Sequence, residues 1–220
     1  MLRNPKGQRV GVFVDVQNMY YSARFMYNSK VNFKALFQDA IKGRTHIRAI
    51  AYVIRSEETN KEAFFGALEN FGFEIKSKDV QVFAGGAKKG DWDIGIAMDA
   101  IELAPKLDTI VLISGDGDFV PLVQHLQRAL GCRVEVMAFG KSASGKLIEA
   151  ADEFTDLDKN LKKYLIEQGE RRPNLVKREL DTHTVGGNSE QIQRTSSNKN
   201  FVSKSEQVQR TSSRTIQGGK

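Results

Sequence analysis

The feature that most restricts this chain is the alternation of β-branched apolar runs with segments of helical period between residues 9 and 157. "RVGVFVDV" (9–16) is almost continuously apolar, the pattern of a strand covered on both faces rather than one with a wet side. "NFKALFQDAIKG" places Phe33, Leu36, Phe37, Ala40 and Ile41 at helical spacing and stops at Gly43. "HIRAIAYVI" reads as a strand. Thr59 with Glu62 reads as a capping box before the helix "AFFGALENFG", with Gly72 as its stop, and "FEIKSKDVQVF" reads as the next strand. Helix "DWDIGIAMDAIELA", strand "TIVLI", helix "FVPLVQHLQRALG", strand "CRVEVMAF" and helix "GKLIEAADEF" follow. This alternation predicts a Rossmann-like three-layer α/β/α fold with a parallel sheet of about five strands, order 3-2-1-4-5, and right-handed crossovers.

Apolar periodicity stops near residue 168. The chain of 220 residues therefore reads as one domain over 1–168 and a polar, basic tail over 169–220, expected to be disordered because it has too little apolar surface to offset chain entropy. Within the tail "SEQIQRTSS" (189–197) recurs as "SEQVQRTSS" (205–213). Two polar copies are too few for a solenoid, and the tail reads as a linker, a basic tether, a phosphorylation target or the place where a protein partner docks. Ten Lys and Arg against six Asp and Glu in residues 166–220 carry most of the net charge of +6, which favours polyanionic partners. No apolar run approaches the ~20 residues that span a bilayer, and no signal-peptide pattern opens the chain, so a soluble, cytoplasmic protein without membrane attachment is expected. The single cysteine, Cys132, implies neither disulfide nor zinc chemistry, and His46, His125 and His183 show no metal-ligand spacing.

The predicted order makes strands one and four neighbours where the connections reverse direction, and open α/β sheets bind ligands there, beyond the carboxyl ends of the strands. Asp15 ends the first strand; Asp116 and Asp118 follow the fourth in "SGDGDF", with Ser114 ahead of them. A crossover helix runs antiparallel to its strands, so Asp91 and Asp93, at the start of "DWDIGIAMDAIELA", are expected at the same end. Asp99, about 9 Å further along that helix axis, is a candidate for a supporting position. Carboxylates gathered in one crevice raise one another's pKa unless a cation joins them, and an all-oxygen set selects Mg²⁺ or Mn²⁺. Each acid taken alone also suits a cap or turn.

Three stretches, "VFVDVQN" (12–18), "KKGDWDIGIAMDAI" (88–101) and "VLISGDGDFVPLV" (111–123), with "GKLIEAADEFTDL" (145–157) after them, resemble the NYN nucleases of the PIN-like superfamily, most closely the LabA-like branch. In that resemblance Asp15, Asp93, Asp116 and Asp118 match the metal-holding, catalytic acids, Asn18 matches the polar residue after the first acid, and Asp91 is an additional acid. It implies a metal-dependent ribonuclease acting on RNA phosphodiester bonds. Lys88, Lys89, Lys141 and Lys146 are candidates for phosphate contacts, and Tyr20, Tyr21, Phe25 and Tyr27 for stacking on single-stranded RNA. A catalytically silent RNA-binding or scaffold module is the alternative. Nucleotide hydrolysis at "GKSASGKL" (140–147) is disfavoured because Leu147 stands where a phosphate-binding loop needs a hydroxyl.

Overall fold

The computed structural model describes residues 7–55, 62–82 and 88–166. Thr59 and the tail with its duplicated segment, including the 1–168/169–220 division, lie outside the described residues; all of the described ones belong to one unit, Met1–Arg172. Strand β1 (Arg9–Asp15) is buried at every position after Arg9, as its unbroken apolar run demands. It passes without a loop into α1 (Val16–Tyr27), because the last strand residue, Asp15, also caps the helix. The pair β2 (Lys30–Val31) and α2 (Phe33–Ile41) leads to β3 (Thr45–Arg55), and α3 (Glu62–Asn70) to β4 (Glu74–Asp79). Gly72, at φ 103°, makes the left-handed turn after α3 that a side chain would resist.

The single strand expected over residues 73–83 is broken at Val80. Its continuation, β5 (Gln81–Val82), pairs instead antiparallel with β6 (Lys88–Lys89). Then come α4 (Asp93–Leu103), β7 (Thr109–Ile113), α5 (Val120–Arg128), β8 (Arg133–Ala138), α6 (Gly145–Ala150), β9 (Glu153–Asp156), α7 (Leu161–Tyr164) and β10 (Leu165–Ile166), the last pairing with β2.

The main sheet has six strands in the order β4-β3-β1-β7-β8-β9, all parallel. Counted along the chain this is 3-2-1-4-5-6, the predicted order with one more strand. The sixth corrects the reading of "GKLIEAADEF" as one helix: α6 stops at Ala150, Ala151 is extended (φ −72°, ψ 144°), and Glu153–Asp156 adds to the sheet edge.

Side-chain alternation along the strands feeds two cores. Val10, Val12 and Val14 of β1 pack with Met19, Leu36 and Leu68 on the face covered by α1 to α3. Phe13 packs with Ile96, Leu122 and Leu147 on the face covered by α4 to α6. Leu147 is fully buried there. Cys132 is buried in this second core, and its thiol donates to the Ala104 and Leu107 carbonyls. Among the described residues Arg44, after α2, and Glu135 of β8 form a buried ion pair through two bonds of 2.9 Å. No helix among the described residues is long and apolar enough to cross a membrane.

Candidate metal centre and active-site cleft

Strand β1 is the pivot of the sheet, pairing with β3 on one side and β7 on the other, so its end lies where the connections reverse. Val14 pairs with Ile113, which puts Asp15 next to Ser114. Asp15 is only 8% exposed. One carboxylate oxygen accepts the Asn18 N–H at 3.0 Å, capping α1, and the other accepts the Ser114 hydroxyl at 3.4 Å. Burial pushes this carboxyl up to about 6, Asp93 and Asp116 push the same way, and the Asn18 N–H and Ser114 hydroxyl oppose them.

The loop after β7 is shaped by the same small residues that leave its acids uncovered. Asp116 caps the single 3₁₀ turn Gly117–Phe119 by accepting the Asp118 N–H at 3.0 Å. Its own N–H donates to Ser114 Oγ at 3.2 Å, and Gly115 N–H donates to the Asn18 side-chain oxygen at 3.0 Å. Asn18 thus binds α1 to this loop, holding Asp15 with its backbone and Gly115 with its side chain. A Cβ on Gly115 would lie 3.0 Å from the Ala143 Cα, and one on Gly117 2.8 Å from Ser144 Oγ. Both glycines leave room for the close approach of the loops after β7 and β8, with the tighter backbone obstacle at Gly115.

Asp93 opens α4. Burial first, then Asp116, Asp91 and Asp118, raise its carboxyl above the ordinary range, and Lys78 opposes them. Asp93, Asp116 and Asp118 each offer an oxygen within 4.8 Å of the others, the one such group of metal-ligating side chains among the described residues. Asp15 sits below this trio, coupled to Asp93 and Asp116 by repulsion. An open cleft of about 370 Å³ has Asp15, Asp91, Asp93 and Asp116 in its lining, with Asn18, Tyr21, Phe25 and Trp92.

The other predicted positions separate. Asp99 faces away from the trio: Lys76 Nζ donates to it at 2.7 and 2.8 Å and Tyr52 at 2.6 Å, and these bonds hold it below the ordinary carboxylate range despite burial. Its partners come from β3 and β4, so the helix spacing that suggested a supporting role does not deliver one. Lys141 lies over the Tyr27 ring, 5.7 Å from its centre, and Lys146 lines a separate surface depression between α5 and α6. Lys88 and Lys89 form β6, at the entrance to the segment leading into α4. Tyr27 packs on Phe139 and donates to Asp158, which leaves it no stacking face toward the cleft. His46 packs edge-on against Phe37. Two cleft neighbours were not singled out from sequence. Trp92 donates to the Val53 carbonyl at 3.0 Å, and Lys78 lies 4.7 Å over its ring. The lone tryptophan between two acids was the available signal.

Comparison with known proteins agrees with this arrangement. The Low amplitude and bright protein LabA of Synechococcus elongatus is 26% identical over 161 residues, 68% of this chain and 84% of LabA. A Vibrio parahaemolyticus protein of unknown function, known from its crystal structure, is 34% identical with a TM-score of 0.67, covering 75% of this chain and 100% of that one. The sequence pattern of the NYN domain matches residues 9–158, which take in all six strands of the sheet and every acid of the cleft, and the chain belongs to the NYN domain family.

Proposed function

We propose that this protein is a ribonuclease that hydrolyses RNA phosphodiester bonds with a divalent cation, Mg²⁺ or Mn²⁺, held in the cleft beyond β1 and β7. The observation that carries the reading is the convergence of Asp93, Asp116 and Asp118 within 4.8 Å beside the buried Asp15. The residues fit a hard cation: every donor is a carboxylate oxygen, and Asp15 and Asp93, raised first by burial and then by the neighbouring acids, would be favoured in their charged form by a positive ion. A bound ion would supply a water nucleophile at neutral pH and offset charge on the leaving oxygen.

The chain's own residues do the rest. Asp93, Asp116 and Asp118 would ligate the cation, and Asp15 would complete its charge from below. The Asn18 N–H and Ser114 hydroxyl orient Asp15, and the 3₁₀ turn fixes Asp116 relative to Asp118. Lys78, beside Asp93, is the proposed contact for substrate phosphates, while the side chains of Lys88 and Lys89 lie outside the described residues.

Incubating the full chain with end-labelled single-stranded RNA in Mg²⁺, Mn²⁺ or EDTA, beside Asp116→Asn, tests this. Cleavage that needs the ion and falls by orders of magnitude in the variant supports hydrolysis at this site. RNA binding with no ion-dependent cleavage by the wild-type protein would instead assign a silent RNA-binding module.

A further inference from the structure

Phe25 is 80% exposed, more than any other large apolar side chain among the described residues. It does not hang free. Its ring stacks on Tyr21 at 5.6 Å with planes 15° apart, and Tyr20 supports Tyr21 edge-on at 5.5 Å. Both Tyr21 and Phe25 line the acidic cleft. Asn18, Tyr21 and Phe25 recur at helical spacing, so one face of α1 runs from the residue that holds Asp15 to the Phe25 ring, about 10 Å along the axis. The structure therefore joins a braced aromatic wall and a carboxylate floor within one cleft.

We propose that this wall is a stacking subsite for one unpaired base of single-stranded RNA, next to the phosphate held at the acids; the inference rests on the ribonuclease reading and names the form of its substrate. The floor argues against an apolar protein segment as the occupant, because such a segment would desolvate Asp15, Asp93 and Asp116 without returning a charge. A nucleotide brings a flat π-face to the wall and, with a cation, a phosphate to the floor. A cleft of about 370 Å³ is at the small end of ligand sites and suits one nucleotide unit. Inside a duplex both faces of a base are already stacked, so Phe25 has nothing to engage except at the ends. The wall thereby selects single strands without reading sequence.

The test measures binding by the full chain in Ca²⁺, a hard cation that carboxylates can hold, with strand integrity checked on a gel after each titration so that cleavage does not enter the result. The probes are a fluorescein-labelled single-stranded RNA and the same strand in a blunt duplex. Phe25→Ala is expected to weaken single-strand binding about tenfold or more, Phe25→Trp to restore it, and duplex binding to be unaffected by either. Equal single-strand affinity in wild type and Phe25→Ala, an equal loss on the duplex, or no single-strand binding by wild type overturns the subsite. So does a wild-type dimer in sedimentation that Phe25→Ala converts to monomer with RNA affinity intact, which would give the wall to a second copy of the chain. Phe25-dependent binding without cleavage in Mn²⁺ leaves the subsite standing and removes hydrolysis. Cleavage by Phe25→Ala with wild-type KM does the reverse.

Discussion

Replacing Asp15 by Asn should make the cation-free protein more stable, by an amount that depends on pH. The Asp15 carboxyl is raised from 3.8 to about 6, mainly by burial. A group raised in the folded state contributes stability below its unfolded pKa and loses it as pH rises through the folded value. Between pH 3.8 and about 6 the wild-type protein therefore loses stability that a neutral side chain keeps, about 3 kcal/mol at full ionisation, from 6 − 3.8 at about 1.36 kcal/mol per pH unit. Asparagine caps a helix as well as aspartate does, so the Asn18 N–H keeps its acceptor. For a unit of this size ~3 kcal/mol corresponds to roughly 6–12 °C in Tm. Thermal unfolding in EDTA should show that gap at pH 7.5 and shrink it to less than about 1 kcal/mol at pH 4. A variant no more stable than wild type at pH 7.5, or a gap equal at both pH values, would refute burial of an ionised Asp15 as the source of the cost.

Three further outcomes follow from the geometry. Glu135→Leu leaves the buried Arg44 charge without a carboxylate and should cost about 3–5 kcal/mol in denaturant unfolding, Arg44→Met should cost less because Arg133 and Lys42 still reach Glu135, and the double variant recovers much of the Glu135→Leu loss. Gly115→Ala forces the loop after β7 against Ala143 and should lower both stability, by about 1–3 kcal/mol, and RNA cleavage, while Gly145→Ala, in the first turn of α6 with nothing within 4 Å, leaves cleavage unchanged and stability equal or slightly higher. Asp99→Asn loosens the bond to a partly exposed Lys76, costs at most about 1 kcal/mol, and should leave Mn²⁺ affinity unchanged by calorimetry.

Much of the sheet could be read from the chain because buried parallel strands announce themselves. "VGVFV" and "TIVLI" are apolar on both faces, "RVEVMA" is apolar on one face and carries the ion-paired Glu135 on the other, and strand order then places Asp15 beside the loop after β7. The edge strand Glu153–Asp156 gave no such signal: all four residues are half-buried, two are acidic, and the helix before it stops without a glycine or proline. Helix α1 was hidden for a related reason, since Asp15 ends the strand and caps the helix with no turn residues between them. Caps and ligands were also indistinguishable by spacing. Asp15 and Asp116 are caps, as the plainer reading of each had it, yet both still face the cleft. Long-range pairing decided what remained: Asp99 looked available on its helix until Lys76 and Tyr52 arrived from β4 and β3, and Asn18 found Gly115 across 97 residues.

The most direct measurement of the central claim is Mn²⁺ binding itself, because the carboxylates of the cleft are assigned a purpose only if a cation joins them. Titrating Mn²⁺ into wild type and Asp116→Asn, with Tm followed in parallel, should show saturable binding and a rise in Tm for the wild-type protein. The variant's affinity should be at least tenfold weaker and its Tm nearly unresponsive. An identical Mn²⁺ titration and an identical Tm shift in the two proteins would contradict the metal centre formed by Asp93, Asp116 and Asp118.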